Sequence, residues 1–282
     1  MANTIDLHIH TTASDGSDPP QALLENLKKA GITIFSVTDH DTIDGALETE
    51  ALVTSDFRFI RGIEFSCETP AGKCHILGYG FDPAHPAFLA ALEAGRKLRQ
   101  EKLETRLRYL RNDLGIDVTI QEETWLRSLE SPGKPHFGRI VMAHGLADTI
   151  DIAIQKYVNP CKIRRDRIEA EMAVNAILAS GGIPVWAHPL GGEGEKPLSL
   201  DQFRLQLAQL LSYGIRGMEC HYSRYSRERS EFLTGQAREH GLLVSGGSDY
   251  HGANKRDLPL GRLRDDDGDV PPAQLTVLKE LL

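Results

Sequence analysis

Ile5-Asp6-Leu7-His8-Ile9-His10 is a short apolar run that ends in imidazoles, and runs of the same kind recur along the chain. Continuous runs of this type predict parallel β-strands that are enclosed by helices. They are Ile5–His10, Ile34–His40, Phe59–Glu64, Cys74–Gly78, Ile183–His188, Ile215–His221 and Leu242–His251. Six of the seven carry His, Asp or Glu at or just past their C-terminal ends, whereas His75 stands near the start of the fourth. Barrel enzymes build active sites at the C-terminal ends of their strands, so the runs predict one shared polynuclear metal site.

Length and composition indicate an ordinary globular protein. The 282 residues suffice for one large α/β domain, alone or with an insertion. No stretch approaches the roughly 20 apolar residues of a membrane span, and the N-terminus lacks the basic and apolar regions of a signal peptide. A cytoplasmic location with four reduced cysteines and no membrane partner is therefore expected. The net charge of −8 disfavours tight non-specific binding to a polyanion.

A long segment between the fourth and fifth runs has a helical pattern instead of a strand pattern. Leucines at helical spacing predict one long helix from about Phe88 to Leu114, and further helical patterns follow, broken at Ser131-Pro132-Gly133-Lys134-Pro135. We therefore predict that residues 1–85 and 168–282 form the domain that carries the metal site. Residues 86–167 are predicted to form a helical insertion that lies over its C-terminal face.

The residues at the strand ends combine imidazoles with carboxylates. In His8-Ile9-His10 the two rings project from the same side of a strand, so they can bind one metal side by side. The other candidate ligands are Asp15, Asp39, His40, Asp41, Glu64, His75, His188, Glu219, His221, Asp249 and His251. Each of these alone could be structural, and Asp39 and Asp41 could cap the helix that follows them. Six of the eleven histidines nevertheless occupy equivalent positions beside carboxylates, which favours a metal site.

In the order of these motifs the chain resembles the PHP (polymerase and histidinol phosphatase) family over nearly its whole length. The shared motifs are His8-x-His10, Asp15-Gly16, Thr38-Asp39-His40, Gly62-Ile63-Glu64, His75, Ala187-His188-Pro189 and Ser248-Asp249-Tyr250-His251. Lys134-Pro135-His136-Phe137-Gly138-Arg139 also resembles a segment of the inserted domain in one PHP subfamily. That subfamily contains 3′,5′-nucleotide bisphosphate phosphatases and 5′-end ribonucleases. The resemblance implies an α/β fold, a distorted (β/α)7 TIM-like barrel with a helical insertion domain.

The resemblance also implies a site with three divalent metal ions, expected to be manganese, with iron or zinc as alternatives. It assigns His8, His10, Glu64 and Asp249 to one ion, Glu64, His75 and His188 to a second, and Asp15, His40 and His251 to the third. Asp15, Glu64, His188 and Asp249 are the predicted catalytic residues among them. Asp39 and Asp41 are then expected to orient imidazoles from behind.

The function that the resemblance implies is a metal-dependent phosphatase, a phosphoric monoester hydrolase. We expect it to release a terminal phosphate from a small metabolite, either a 3′,5′-nucleotide bisphosphate or an AMP-like nucleotide. Bound ions lower the pKa of water and neutralise phosphate oxygens, so a metal-bridging hydroxide is expected to attack phosphorus. The predicted substrate-binding residues are His136, Arg139, Arg224 and His221, since Arg suits phosphate recognition. The basic run Lys162, Arg164, Arg165 and Arg167 could attract a polyanionic substrate.

Several alternatives stay open at the level of sequence. The same chemistry would serve a 5′-3′ exoribonuclease acting on short RNA ends, or a histidinol-phosphate phosphatase. PHP domains also serve as non-catalytic modules of polymerases, although all nine ligands are present here. A C–N hydrolase would use a similar barrel, but no candidate for a carbamylated lysine follows a strand. Nothing in the sequence implies a stable protein partner.

Overall fold

The computed structural model of the chain describes residues 4–129, 131–164, 167–192 and 197–282, and its strands form a nearly closed barrel. The strands are β1 (Ile5–Ile9), β2 (Ile34–Val37), β3 (Arg58–Thr69), β4 (Gly72–Tyr79), β5 (Ile168–Glu169), β6 (Ile183–Trp186), β7 (Gly217–Tyr222) and β8 (Leu243–Gly247). Their order in the sheet is β1-β2-β3-β4-β6-β7-β8. The Asp249 N–H donates to the His8 carbonyl (2.9 Å) and the His10 N–H to the Tyr250 carbonyl (2.9 Å), which connects the end of β8 to β1.

The prediction of a TIM-like barrel is confirmed, and each of the seven apolar runs coincides with one strand of this order, although β3 and β4 extend beyond their runs at both ends. The two-residue strand β5 was not predicted, and it pairs with the outer part of β3. Strand β4 is the source of the distortion, because it runs antiparallel to both β3 and β6. Its N-terminal end therefore lies at the edge where the parallel strands have their C-terminal ends. This direction explains why His75 is near the start of its run and still reaches the shared site.

Helices cover the outside of the barrel and build the segment between β4 and β5. They are α1 (Pro20–Ala30), α2 (Asp44–Leu52), α3 (Pro86–Asn112), α4 (Ile120–Ser128), α5 (Lys134–Ala143), α6 (Ile150–Ala153), α7 (Ala170–Ala179), α8 (Leu200–Tyr213), α9 (Arg227–Glu239) and α10 (Leu278–Leu281). A π-helical turn, Ile154–Val158, continues α6. The long predicted helix is α3, with bounds two residues from the predicted ones at each end. None of the described helices is long and apolar enough to cross a membrane.

Two hydrophobic clusters bear on the proposed division of the chain. One packs barrel strands against α7 and α8 and includes Phe88 and Leu92 of α3. The other consists of side chains from Leu103 to Val158, with Leu107 and Phe137 fully buried in it. Helix α3 therefore begins on the barrel and continues into a separately packed helical unit. The division into residues 1–85 with 168–282, and 86–167, remains a proposal, and the first turns of α3 pack across its first boundary.

Closure of the barrel depends on a glycine in β8. A Cβ atom added to Gly247 would lie 2.2 Å from the Cβ and 2.5 Å from the backbone nitrogen of His8. We expect Gly247→Ala to lower the free energy of unfolding by about 1–3 kcal/mol or more, because the backbone of β1 would have to move. Urea unfolding followed by circular dichroism measures the change.

Gly235→Ala is the matched control for that variant. Gly235 is exposed in α9, and an added Cβ would meet nothing within 4 Å. Alanine has the higher helix propensity, so this variant is expected to gain about 0.5–1 kcal/mol. Equal stability of the two variants would contradict the argument about barrel closure.

Candidate metal centre

Glu64 of β3 lies fully buried at the middle of the barrel rim, encircled by imidazoles. Its Oε2 atom is 3.3 Å from His8 Nε2, 3.3 Å from His10 Nε2 and 3.1 Å from His40 Nδ1. Its Oε1 atom is 2.9 Å from His75 Nδ1 and 3.1 Å from His188 Nε2. Side chains from β1, β4 and the segments after β1, β2 and β6 thus meet at one carboxylate.

Two further carboxylates extend this cluster toward His251. Asp249 Oδ1 lies 3.2 Å from His10 Nε2 and 3.5 Å from both His8 Nε2 and His251 Nδ1. Asp15 Oδ1 lies 3.2 Å from His251 Nε2. The structure therefore brings all nine predicted ligands together. Asp249 (φ 58°) and His188 (φ 29°) have left-handed backbones, which are uncommon outside glycine and concentrate at functional sites.

The cluster contains buried polar atoms that make no hydrogen bond within the described part of the chain. They are His8 Nε2, His10 Nε2, Asp15 Oδ1, His40 Nδ1, Glu64 Oε2 and His251 Nε2. A buried polar atom without a partner costs about 1–3 kcal/mol, and more when it is charged. Together with Asp249 and His75, the residues that carry these atoms form three overlapping sets whose ligand atoms lie within 4.8 Å of one another: His10, Asp15, His40 and His251; His8, His10, Glu64 and Asp249; and His40, Glu64 and His75. Imidazole nitrogens with carboxylate oxygens suit transition-metal ions, so the residues fit a centre of more than one cation.

The charges around Glu64 and Asp249 lower the pKa values of both carboxyl groups. Burial acts to raise the pKa of Glu64, but the charges of His40, His75 and His8 outweigh it and hold that pKa well below its usual value. For Asp249 burial is likewise outweighed, chiefly by Lys255 and His251, and the pKa of its carboxyl is lowered. Ionised carboxylates are the forms that bind metal ions.

Polar groups behind the cluster hold it in place. Asp39 accepts hydrogen bonds from the Thr11 N–H (2.8 Å) and hydroxyl (2.7 Å) and from the Ser14 hydroxyl (2.6 Å). The Ser14 hydroxyl lies 3.5 Å from His10 Nδ1, so Asp39 reaches that ring only through Ser14. Asp41 accepts from Arg99 Nε (2.6 Å) and from the Ser66 N–H (2.8 Å). The expectation that Asp39 and Asp41 bond imidazoles directly is thus not met in either case.

A cavity of about 810 Å³ opens beside the cluster, and several basic side chains are among its lining residues. Arg99, Lys102 and Arg106 lie on one face of α3 and are only 5%, 8% and 6% exposed. Lys73, Lys134 and Arg167 also line the cavity. We call these six residues the cationic wall. Arg99, Lys102 and Arg106 were not predicted as site residues, because basic residues in an amphipathic helix usually lie on its solvated face.

The four predicted substrate-binding residues do not line this cavity in the described structure. His136 is buried in α5, where its Nδ1 accepts from the Gly133 N–H (2.9 Å). Arg139 donates to Asn254 Oδ1 (2.8 Å), and Arg224 pairs with Asp257 (2.7 Å).

His221 is turned away from the cluster by an irregularity of β7. The pairing of β7 with β8 shifts register between Glu219 and His221. The Tyr222 hydroxyl donates to Asp249 Oδ2 (3.1 Å), while His221 packs against Gly246. In the predicted basic run, Arg167 reaches the cavity and Arg165 lies outside the described residues.

Comparisons with known proteins agree with this geometry. The PHP domain family matches residues 6–122. The 5′-3′ exoribonuclease Rnm of Salmonella typhimurium is 30% identical over 87% of this chain and 84% of its own length. The chain belongs to the PHP family. Among its PHP relatives, the 3′,5′-nucleoside bisphosphate phosphatase of Chromobacterium violaceum is 28% identical over all of this chain and 97% of its own length.

Solved structures support the barrel. An amidohydrolase of Chromobacterium violaceum with bound sulfate superimposes with a TM-score of 0.84 at 27% identity, over 99% of this chain and 95% of its own. A protein of Bifidobacterium adolescentis, described as a candidate metal-dependent phosphoesterase, gives 0.82 at 25% identity, over 100% of this chain and 96% of its own. The predictions of the PHP family and of its barrel are thereby confirmed.

Glu64→Gln tests the centre. The amide keeps the size of the side chain but loses the charge that all five neighbouring rings face. We expect the protein to lose bound manganese, and kcat for phosphate release to fall by about three orders of magnitude, since bound ions supply several kcal/mol of transition-state stabilisation. Elemental analysis after manganese loading and a phosphate-release assay measure both.

Glu50→Gln is the control for that change, because Glu50 pairs with Arg61 at the surface (2.7 Å). An exposed ion pair contributes about 0–1 kcal/mol, so this variant is expected to keep its metal and its activity. Near-normal metal content and turnover in Glu64→Gln would contradict the assignment of Glu64 as a ligand.

Proposed function

We propose that this PHP protein is a metal-dependent phosphoesterase that removes a terminal phosphate from a small metabolite carrying a second phosphate. A 3′,5′-nucleotide bisphosphate is the substrate that we favour. The class of reaction is supported by the family and by the names of the relatives. Those relatives are a bisphosphate phosphatase, an exoribonuclease and a cyclic phosphate diesterase, and each acts on a phosphate ester. At the level of a phosphate-ester hydrolase, the predicted enzyme class is confirmed. The cationic wall beside the cluster is the observation that carries the choice of substrate.

In this proposal, nine residues of the chain hold divalent cations. His8, His10, Glu64 and Asp249 would hold one, Glu64, His75 and His188 a second, and Asp15, His40 and His251 a third. The overlap of the three donor sets in His10, His40 and Glu64 supports a shared centre, and manganese is the ion that we expect, with iron or zinc as alternatives. Divalent ions in such a centre lower the pKa of bound water and neutralise phosphate oxygens.

The size and lining of the cavity suit a nucleotide. A volume of about 810 Å³ lies within the roughly 300–1,000 Å³ that small-ligand sites occupy. The reacting phosphate would lie against Glu64, His75 and His188, which line the cavity, and Lys102 and Arg106 would bind the other phosphate of the substrate. The base and sugar would then span the space between the two ends.

Buried cations are the strongest support for a second phosphate. The Arg99 guanidinium is engaged with Asp41 and with the Ser66 hydroxyl (3.0 Å). We assign the second phosphate to Lys102 and Arg106, because these two cationic side chains of α3 are buried and line the cavity. Lys134 at the start of α5 lines it as well. This assignment replaces Arg139, whose guanidinium bonds Asn254 at the rim.

Short RNA ends are a second candidate substrate. The Salmonella relative at 30% identity is an exoribonuclease, and the cationic wall would accept a 5′-terminal nucleotide as well as a free bisphosphate. The net charge of −8 disfavours extended contact with a longer polyanion.

A comparison of substrates tests the proposed function. Manganese-loaded protein is assayed in parallel with adenosine 3′,5′-bisphosphate, AMP, histidinol phosphate and a short 5′-phosphorylated RNA. We expect the bisphosphate to have the highest kcat/KM, because it alone offers a small molecule with a phosphate at each end. Preference for histidinol phosphate would reject a nucleotide substrate, and mononucleotide release from RNA without bisphosphate hydrolysis would make exoribonuclease the activity.

Lys102→Gln tests the second-phosphate assignment. One hydrogen bond to a charged group contributes about 1.5–3 kcal/mol, so KM for the bisphosphate is expected to rise about tenfold to a hundredfold. Hydrolysis of p-nitrophenyl phosphate, which has one phosphate, is expected to change by less than about twofold, because that substrate makes no contact with the wall.

Arg108→Gln is the control on the same helix, since Arg108 is exposed and donates a hydrogen bond to the Thr105 hydroxyl (3.3 Å). It is expected to leave both KM values unchanged. Equal effects of Lys102→Gln on the two substrates would contradict the assignment.

A further inference from the structure

Glu219 of β7 is a fully buried carboxylate that lies behind the metal centre. Its Oε1 atom is 2.9 Å from His8 Nδ1, on the side of that ring away from Glu64. Its Oε2 atom accepts a hydrogen bond from the backbone N–H of His188 (2.8 Å). One side chain therefore contacts two predicted ligands, which come from opposite parts of the barrel.

The first contact selects a form of the His8 ring. An ionised carboxylate only accepts hydrogen bonds, and a neutral imidazole has one N–H and one bare nitrogen. Nδ1 of His8 must therefore carry the hydrogen. Nε2 faces the centre, 3.3 Å from Glu64 Oε2 and 3.5 Å from Asp249 Oδ1, and with a cation bound there it would be the nitrogen without hydrogen. This is the form in which His8 can bind a cation through Nε2.

The second contact supports an unusual backbone. His188 has φ 29°, a value that a side chain with Cβ rarely adopts. In that conformation the buried N–H of His188 donates its hydrogen bond to Glu219 Oε2. The His188 ring then reaches Glu64 Oε1 (3.1 Å) and comes within 3.3 Å of His75 Nδ1. Glu219 thus contacts both His8, whose ring lies at Glu64 Oε2, and His188, whose ring lies at Glu64 Oε1.

The register shift in β7 places Glu219 for both contacts. Regular alternation would put Glu219 and His221 on one face of the strand. The pairing with β8 shifts after Glu219, and Tyr222 instead of His221 joins Glu219 toward the centre, where its hydroxyl donates to Asp249. A buried carboxylate is costly unless its oxygens are satisfied, and here both are satisfied by groups of the two ligands.

We propose that Glu219 is a positioning residue, which sets cation affinity by holding the Nδ1–H form of His8 and the left-handed backbone of His188. It binds neither cation nor substrate. The inference rests on the metal centre of the proposed function and is independent of the choice of substrate.

Glu219→Gln tests this role, because glutamine has the same shape but only one acceptor oxygen. The His188 N–H is always a donor and requires that oxygen, so the amide NH2 is left facing His8 Nδ1. To accept from that NH2, the His8 ring must carry its hydrogen on Nε2 instead of Nδ1, and a hydrogen on Nε2 prevents that nitrogen from binding a cation. We expect the affinity for zinc, titrated against a competing chelator, to fall about tenfold to a hundredfold.

Asp6→Asn is the matched control, since Asp6 is also buried but, among the described residues, accepts hydrogen bonds from the His8, Ser248 and Gly261 backbones and the Ser248 hydroxyl and from no imidazole ring. This variant is expected to lower the unfolding temperature without a tenfold loss of zinc affinity. An equal loss in both variants, or zinc binding by Glu219→Gln within twofold of the native protein, would overturn the inference. Native protein that binds neither zinc nor manganese would overturn the metal centre itself.

A measurement on the native chain covers the case in which Glu219→Gln does not fold. In zinc-loaded protein labelled with ¹⁵N-histidine, long-range proton–nitrogen spectra report which ring nitrogen carries hydrogen. We expect His8 to have a protonated Nδ1 and an unprotonated Nε2. An unprotonated Nδ1 would overturn the inference without reference to activity.

Discussion

The interaction on which the structure depends is the meeting of five imidazoles around the buried carboxylate of Glu64. An ionised carboxylate removed from water is strongly unfavourable unless positive charge or hydrogen-bond donors surround it. No single element supplies those groups, because the rings come from β1, β4 and the segments after β1, β2 and β6. The barrel must therefore close with its strand ends at one rim for this charge to be tolerated.

Backbone geometry makes that convergence possible. Gly247 lets β8 approach β1 more closely than any residue with Cβ would allow. The reversed direction of β4 brings His75 to the common rim from the start of its strand. Left-handed backbones at Asp41, His188 and Asp249 turn the chain sharply where strands end. Such conformations are costly, and the barrel holds the last two through hydrogen bonds that their backbone N–H groups donate, His188 to Glu219 Oε2 and Asp249 to the His8 carbonyl.

The barrel and helix α3 make different contributions to the site. The strand ends supply the side chains that we assign to cations, and these are the residues that follow the PHP motifs. Helix α3 leaves the barrel after its first turns and contributes Arg99, Lys102 and Arg106 to the lining of the cavity. The buried Arg99–Asp41 ion pair (2.6 Å) attaches this helix beside His40. Chemistry and substrate selection can therefore vary separately on this framework.

The sequence by itself determined seven of the eight described strands, and it placed the candidate ligands at one rim, because strand ends in a barrel meet there and alternation puts His8 and His10 on one face. The choice of nine among those candidates came from the resemblance to the PHP motifs. Only the tertiary structure decided which polar residues lie behind or beside them. The partner of Asp41 is Arg99, far along the chain, and the register shift in β7 exchanged His221 for Tyr222. In the sequence, the basic residues of α3 have the pattern of a solvated face, and only the packed structure shows that three of them are buried. Local periodicity specifies a face of an element, but packing decides what that face meets.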